Sequence, residues 1–334
     1  MKRLNAGIGA VAATTCALML LTWPFAGHGV QRSPDPACAV NTEISAVTGA
    51  PAGMVWMPGG RFTMGAGDAY PEEAEPIMVS VDGFWIDRYD VTNAQFAAFV
   101  QATGYATLAE RTPGSVVFVQ PTDRQPGVWR FVSGANWRHP QGPDSDLEGR
   151  ANHPVVQVAY EDALAYAHWA GRELPTEAQW EFAARGGLER QRYVWGADAA
   201  PDGKPMANTW QGEFPFRNTG ADGYPGTSPV GCFPANGYGL YDMAGNVWQW
   251  TSTWYRPRHD RVVVGNDPGD PSQAQAFDPR QPGVPALVLK GGSHLCAPNY
   301  CLRYRPSARQ AQEPGLATSH IGFRTVSSKR SNPT

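Results

Sequence analysis

The chain has 334 residues, 42% hydrophobic and 17% charged, which is enough apolar side chain for a substantial core and excludes a disordered or fibrous protein. A net charge of −3 without any long Lys/Arg run leaves no electrostatic footprint for a phosphate backbone and excludes nucleic acid as an expected partner. The 37 glycines, 30 prolines and 12 tryptophans predict a fold rich in turns and loops, pinned by aromatic anchors rather than by long helices.

In chain order, Lys2 and Arg3 precede an apolar stretch from Ala6 to Phe25, the layout of an export signal. Pro24 interrupts its end, and Gly27 and Gly29 suit cleavage. Residues 1–30 are therefore read as a signal peptide, with a retained membrane anchor as the alternative. Residues 31–52 lack apolar periodicity and read as a linker. One domain is expected over 53–328, followed by a tail at 329–334.

Alternating stretches at Met54 to Met57, Val79 to Val81 and Phe84 to Ile86 predict half-buried strands. Helices are predicted from Thr92 to Gly104, from Glu161 to Gly171, and from Thr176 to Gly186. Thr92 with Gln95, and Thr176 with Gln179, have capping-box spacing, and the glycines terminate the helices. Beyond Gly187 turn signals dominate, so the fold class is α+β with much irregular structure.

Outside the leader, four cysteines remain: Cys38, Cys232, Cys296 and Cys301. A bridge between Cys38 and Cys232 is not expected, because Cys38 falls in the linker. Cys296 and Cys301 lie in residues 290–305 (KGGSHLCAPNYCLRYR). Their spacing permits a structural disulfide, half a zinc site, or a two-thiolate site for a soft ion such as Cu(I). In an exported chain spacing alone favours the disulfide. Zinc is weakened because only His294 stands nearby as a further ligand.

The segment resembles the active-site region of formylglycine-generating enzymes, the sulfatase-modifying factor family. Similar motifs recur at residues 59–65 (GGRFTMG), 136–140 (NWRHP), 153–155 (HPV), 174–181 (LPTEAQWE), 208–215 (NTWQGEFP), 236–243 (NGYGLYDM) and 322–324 (GFR). Most of these specify the fold; Cys-x4-Cys is the discriminating feature.

The resemblance implies a loop-rich formylglycine-generating-enzyme fold related to C-type lectins. It implies that Cys296 and Cys301 bind Cu(I), that Ser293 lies where O2 is activated, and that the pair is bridged when copper-free. The implied substrate is an unfolded or nascent sulfatase carrying Cys-x-Pro-x-Arg, oxidised with O2 and a thiol reductant. Trp248, Tyr300 and Arg303 are candidates for the substrate groove. The N-terminal leader, not the resemblance, gives the expected location: exported or membrane-anchored, extracytoplasmic (periplasm or secreted), with membrane contact only through an N-terminal anchor.

A structural Ca2+ site is implied at Asn208, Asp222 and the carbonyls of Thr209 and Tyr224. A second is implied at Asp242, Gln249 and the carbonyls of Gly245 and Val247, although family members often carry glutamate where this chain has Gln249. Glu73 is a further possible ligand, with a solvated acidic loop as the favoured reading. Ala167 and Ala184 stand where animal members have structural cysteines. Two other functions compete: a non-catalytic binding module with Cys296 and Cys301 as a disulfide, and an iron-dependent sulfoxide synthase. The latter lacks ligands here, because the seven histidines are scattered.

Overall fold

The computed structural model describes residues 38, 51–67, 69–73, 75–259 and 272–328, which belong to one compact unit, Pro36–Thr334. The apolar leader and the tail lie outside the described residues. No helix among the described residues is long and apolar enough to cross a membrane.

The predicted strands form. β1 (Met54–Met57) pairs antiparallel with β4 (Phe84–Asp87), and β2 (Gly60–Met64) with β3 (Ile77–Val81). Two of the predicted helices match closely: α1 (Asn93–Thr103) has the Thr92/Gln95 capping box and Gly104 in the left-handed region. A one-turn helix, α2 (Leu108–Arg111), went unpredicted, although Thr107 and Glu110 make the same box. It precedes a hairpin of β5 (Gly114–Val119) and β6 (Val128–Ser133).

The next helix, α3, spans Tyr160–Trp169, one residue from its expected start. α4 (Glu177–Arg185) is capped by Thr176 and Gln179 and ends at Gly186. The remaining strands are β7 (Trp248–Trp254), β8 (Leu287–Lys290), β9 (Arg309–Gln312), β10 (Ile321–Gly322) and β11 (Val326–Ser327). Among the described residues the larger sheet runs β10-β7-β8-β9, with β9 at its edge, and β11 joins β4 and β1.

Burial explains the aromatic content. Trp137, Trp180, Trp248 and Trp250 are fully or almost fully buried with Phe96, Phe99 and Phe323, each removing a large apolar area from water. Arg324, the last residue of the GFR motif, is buried among them. Its guanidinium donates to the carbonyls of Asp87 (2.9 Å) and Tyr241 (2.8 Å), to Gln249 Oε1 (2.7 Å) and to Asp90 (3.2 Å). One side chain thereby ties the N-terminal sheet to the loop around Asp242.

The structure corrects the expectation for Cys38. Its Cα lies 4.4 Å from that of Cys232, and the two form a disulfide. That separation suits a bridge, so part of the predicted linker is fastened to the domain.

Candidate active site

A buried ion cluster sets the base of the site. Lys290, at the end of β8, lies 2.9 Å from Glu181 and 3.6 Å from Glu177, both on α4. Arg185 completes Glu181 at 2.6 Å and Arg309 completes Glu177 at 2.7 Å. Burial pushes both carboxyls up, but Arg309 and Lys290 beside Glu177, and Lys290 and Arg185 beside Glu181, outweigh it. Both are held below the ordinary carboxylate range. The cluster welds the helix to the strand that delivers the cysteine segment.

Gly292 follows with φ +71°, and a Cβ there would stand 2.9 Å from the Arg303 carbonyl. The chain can fold back on itself only with glycine at this point. Two tight turns then set the cysteines: Cys296 N–H donates to Ser293 O at 2.9 Å, and Cys301 N–H to Ala297 O at 2.8 Å. Trp210 N–H donates to the Cys296 carbonyl at 2.9 Å.

Both cysteines are buried free thiols, so neither the structural disulfide of the binding-module reading nor the bridged copper-free pair is the state seen. Burial, then the hydrogen bond and charge of Cys301, push Cys296 well above the usual thiol range. Cys301 moves down: the hydrogen bond from Cys296 favours its thiolate, burial opposes, and Arg303 adds a favourable charge. The Cys296 thiol is the donor of the pair and the Cys301 sulfur its acceptor. Among the described residues no cluster of three His, Cys, Asp or Glu side chains is placed to hold a metal. The donor set here is two soft sulfurs facing a cleft, which fits Cu(I) with a position open for another thiolate.

The cleft measures about 230 Å³ and is lined by Ser293, Cys296, Cys301, Trp248 and Tyr300, among others. Ser293 is buried, its Oγ accepting from Leu295 N–H at 3.2 Å. Trp248 is 2% exposed and forms a back wall, whereas Tyr300 is 60% exposed and stacks on Phe214 at 4.2 Å. Arg303 is placed differently from expectation. It does not line the cleft but stands behind Cys301, paired with Glu72 at 2.5 Å and lying 3.9 Å over the Tyr70 ring. Its contribution is to the sulfur's charge.

The sequence reading missed Trp129, Phe214 and His320, which also line the cleft. His320 stands two residues before the GFR motif, the one signal that placed it near the site. Burial, then the neighbouring His294, lower its pKa to about 3, and its Nδ1 lies 2.7 Å from Thr318 Oγ1. His294 itself donates from Nδ1 to the Asn246 carbonyl at 2.9 Å, a structural role.

The two implied calcium sites differ. At the first, Asn208 Oδ1 is buried without a hydrogen-bond partner, and Asp222 accepts from Thr209 and Tyr224 N–H, each at 3.1 Å. A buried oxygen without a donor is the kind of hard ligand that a calcium ion takes. At the second, Gln249 Oε1 already accepts from Trp180 Nε1 (2.6 Å) and Arg324 Nε (2.7 Å). Its amide N–H donates to the Asp242 carbonyl at 2.8 Å, and Asp242 Oδ2 accepts from Gly231 N–H at 2.7 Å. The residues Asp242, Gly245, Val247 and Gln249 do not fit calcium here, because the oxygen that glutamate would offer is saturated. Glu73 is neither ligand nor solvated loop; it is buried against Arg305 and Ser307.

Comparison with known proteins agrees with this geometry. Residues 41–329 match the model of the "Sulfatase-modifying factor enzyme 1-like domain". A formylglycine-generating enzyme of Mycobacterium tuberculosis is 53% identical, covering 82% of this chain and 97% of that protein. The inactive Cα-formylglycine-generating enzyme 2 of Mus musculus is 40% identical, covering 82% and 85%. Among solved structures, PvdO of Pseudomonas aeruginosa has a TM-score of 0.57 at 28% identity, covering 82% of this chain and 93% of that one. The α+β architecture, the motifs around Cys296 and Cys301 and the extent of these matches lead to one conclusion: the chain belongs to the sulfatase-modifying factor family of formylglycine-generating enzymes.

Proposed function

We infer that this chain oxidises the cysteine of a Cys-x-Pro-x-Arg segment in a sulfatase polypeptide to Cα-formylglycine. The observation that carries the reading is the free, buried Cys296/Cys301 pair opening on an aromatic cleft, together with 53% identity to a formylglycine-generating enzyme. The balanced reaction takes the substrate thiol, O2 and two reducing equivalents from a thiol to a thioaldehyde and two waters. Hydrolysis of the thioaldehyde then gives the aldehyde and hydrogen sulfide.

Cys296 and Cys301 would hold Cu(I), which when bound would supply soft, thiophilic redox chemistry toward a substrate thiolate and O2. The protein's own groups prepare this. Arg303 stabilises negative charge on Cys301. Ser293 presents a hydroxyl at the cleft wall, where the resemblance places O2. Tyr300, Phe214 and Trp129 form an apolar surface for an extended peptide, limiting water beside the reacting Cβ. Trp248 backs the same pocket.

Asn208, Thr209, Asp222 and Tyr224 are proposed to hold one structural Ca2+, supported by the unpartnered Asn208 oxygen. Export is proposed from the apolar leader and is supported by the Cys38–Cys232 disulfide, which persists in oxidising compartments. Kinship of the fold with C-type lectins rests on the resemblance alone.

The test is incubation of copper-loaded protein with O2, a thiol reductant and a Cys-x-Pro-x-Arg peptide. The expected result is a peptide aldehyde seen by mass spectrometry, and an unmodified peptide contradicts the reading.

A further inference from the structure

A second hollow, of about 290 Å³, continues from the cysteine cleft and shares three walls with it: Gln310, Gln312 and Leu316. The first two belong to β9, the edge strand of the larger sheet among the described residues. The hollow's lining also includes two carboxylates, Glu313 and Asp278, which the cysteine cleft does not share. Asp278 is taken by Arg280, which donates to it at 3.1 Å. Glu313 is exposed, its carbonyl accepts from Leu316 N–H at 3.2 Å, and its carboxylate has no hydrogen bond or ion pair among the described residues.

In an extended peptide successive side chains alternate, so the Cys, Pro and Arg of Cys-x-Pro-x-Arg point to one side. Four residues at about 3.3 Å each put the arginine roughly 13 Å from the cysteine. Gln310 lies on β9 and lines both hollows, and Glu313 is the first residue past the strand's end and lines the second; three residues span at most roughly 10 Å, and side-chain reach covers the remainder.

Charge selects the direction. The larger hollow that includes Pro298 and Leu302 is lined by Arg190 and Arg192, and by Arg185 and Arg305, which are already paired with Glu181 and Glu73, and it offers a guanidinium no carboxylate. The β9 hollow holds two carboxylates against one arginine.

We propose that Glu313 receives the substrate arginine, with the peptide running along β9 from the Cys296/Cys301 cleft. This makes Glu313 a specificity-determining residue, and it rests on the function proposed above.

The experiment measures binding separately from turnover. Copper-loaded protein is titrated against fluorescein-labelled Ser-x-Pro-x-Arg peptide and against versions with glutamine or glutamate in place of arginine. Wild type is expected to prefer the arginine peptide over the glutamine peptide by about fivefold, the scale of a solvent-accessible ion pair. Glu313→Gln should abolish that preference without weakening the glutamine peptide, and Glu313→Arg should favour the glutamate peptide. A wild-type preference that survives in Glu313→Gln, or equal weakening of both peptides, overturns the assignment. Protein that discriminates in this way yet forms no aldehyde from the cysteine peptide supports the groove and overturns the oxidase reading instead.

Discussion

Glu181→Ala tests the cluster that holds the cysteine segment in place. Glu181 is completely buried and compensates two cations, Lys290 at 2.9 Å and Arg185 at 2.6 Å, while its Oε1 also accepts from Gly65 N–H at 2.8 Å. Truncation leaves Lys290 with only Glu177, 3.6 Å away. Removing one partner of a buried pair costs about 3–5 kcal/mol, and an orphaned backbone donor adds to it, so about 4 kcal/mol is the least loss expected. Against a typical total of about 5–15 kcal/mol, that is a large fraction. Urea unfolding followed by tryptophan fluorescence reads it directly as a fall in midpoint at constant slope. Replacing both charges, as Glu181→Gln with Lys290→Met, should cost less than Glu181→Ala, because no uncompensated charge from the Lys290 pair remains. A Glu181→Ala loss below about 1 kcal/mol, the value of an exposed pair, refutes the reasoning.

Three further outcomes follow from the same chemistry. Glu177 and Glu181 have folded-state pKa values below their ordinary 4.5, so their stabilisation is present above pH 4.5 and lost as pH falls below it. Melting temperature should drop more steeply with acid in wild type than in Glu181→Gln, and parallel curves contradict this. Cys232→Ser should lower stability by about 2–5 kcal/mol, read by urea unfolding, because the bridge closes a very long loop in the unfolded chain. An unchanged midpoint contradicts it. Calcium should raise the melting temperature of wild type but not of Asn208→Ala, with about one ion bound per chain by elemental analysis; two ions would show that Gln249 does not block the second site.

Much of the scaffold was legible because its signals are local. Thr92 with Gln95 and Thr176 with Gln179 announce α1 and α4, and Gly104 and Gly186 end them, since caps need only neighbouring residues. The cysteine pair was legible through its motif, whereas the turns that set it, closed on Ser293 and Ala297, and the Trp210 N–H that holds the Cys296 carbonyl join residues that no local pattern marks. The non-local features escaped. Cys38 looked like linker because nothing near it marks Cys232, 194 residues away. Arg303 looked like a groove residue until Glu72 and Tyr70, distant in sequence, drew it behind Cys301. Trp129 and His320 reach the cleft from different elements, and the loss of the second calcium site depends on how Trp180 and Arg324 converge on Gln249.

The most direct measurement of the central claim compares wild type with Cys296→Ser and Cys301→Ser. Each is loaded anaerobically with Cu(I), its copper content is measured, and it is then given O2, a thiol reductant and a Cys-x-Pro-x-Arg peptide. Two soft sulfurs are required for the site, so wild type should retain about one copper and form aldehyde, while both variants lose the metal and the product. Full copper retention and turnover in either serine variant would contradict the account.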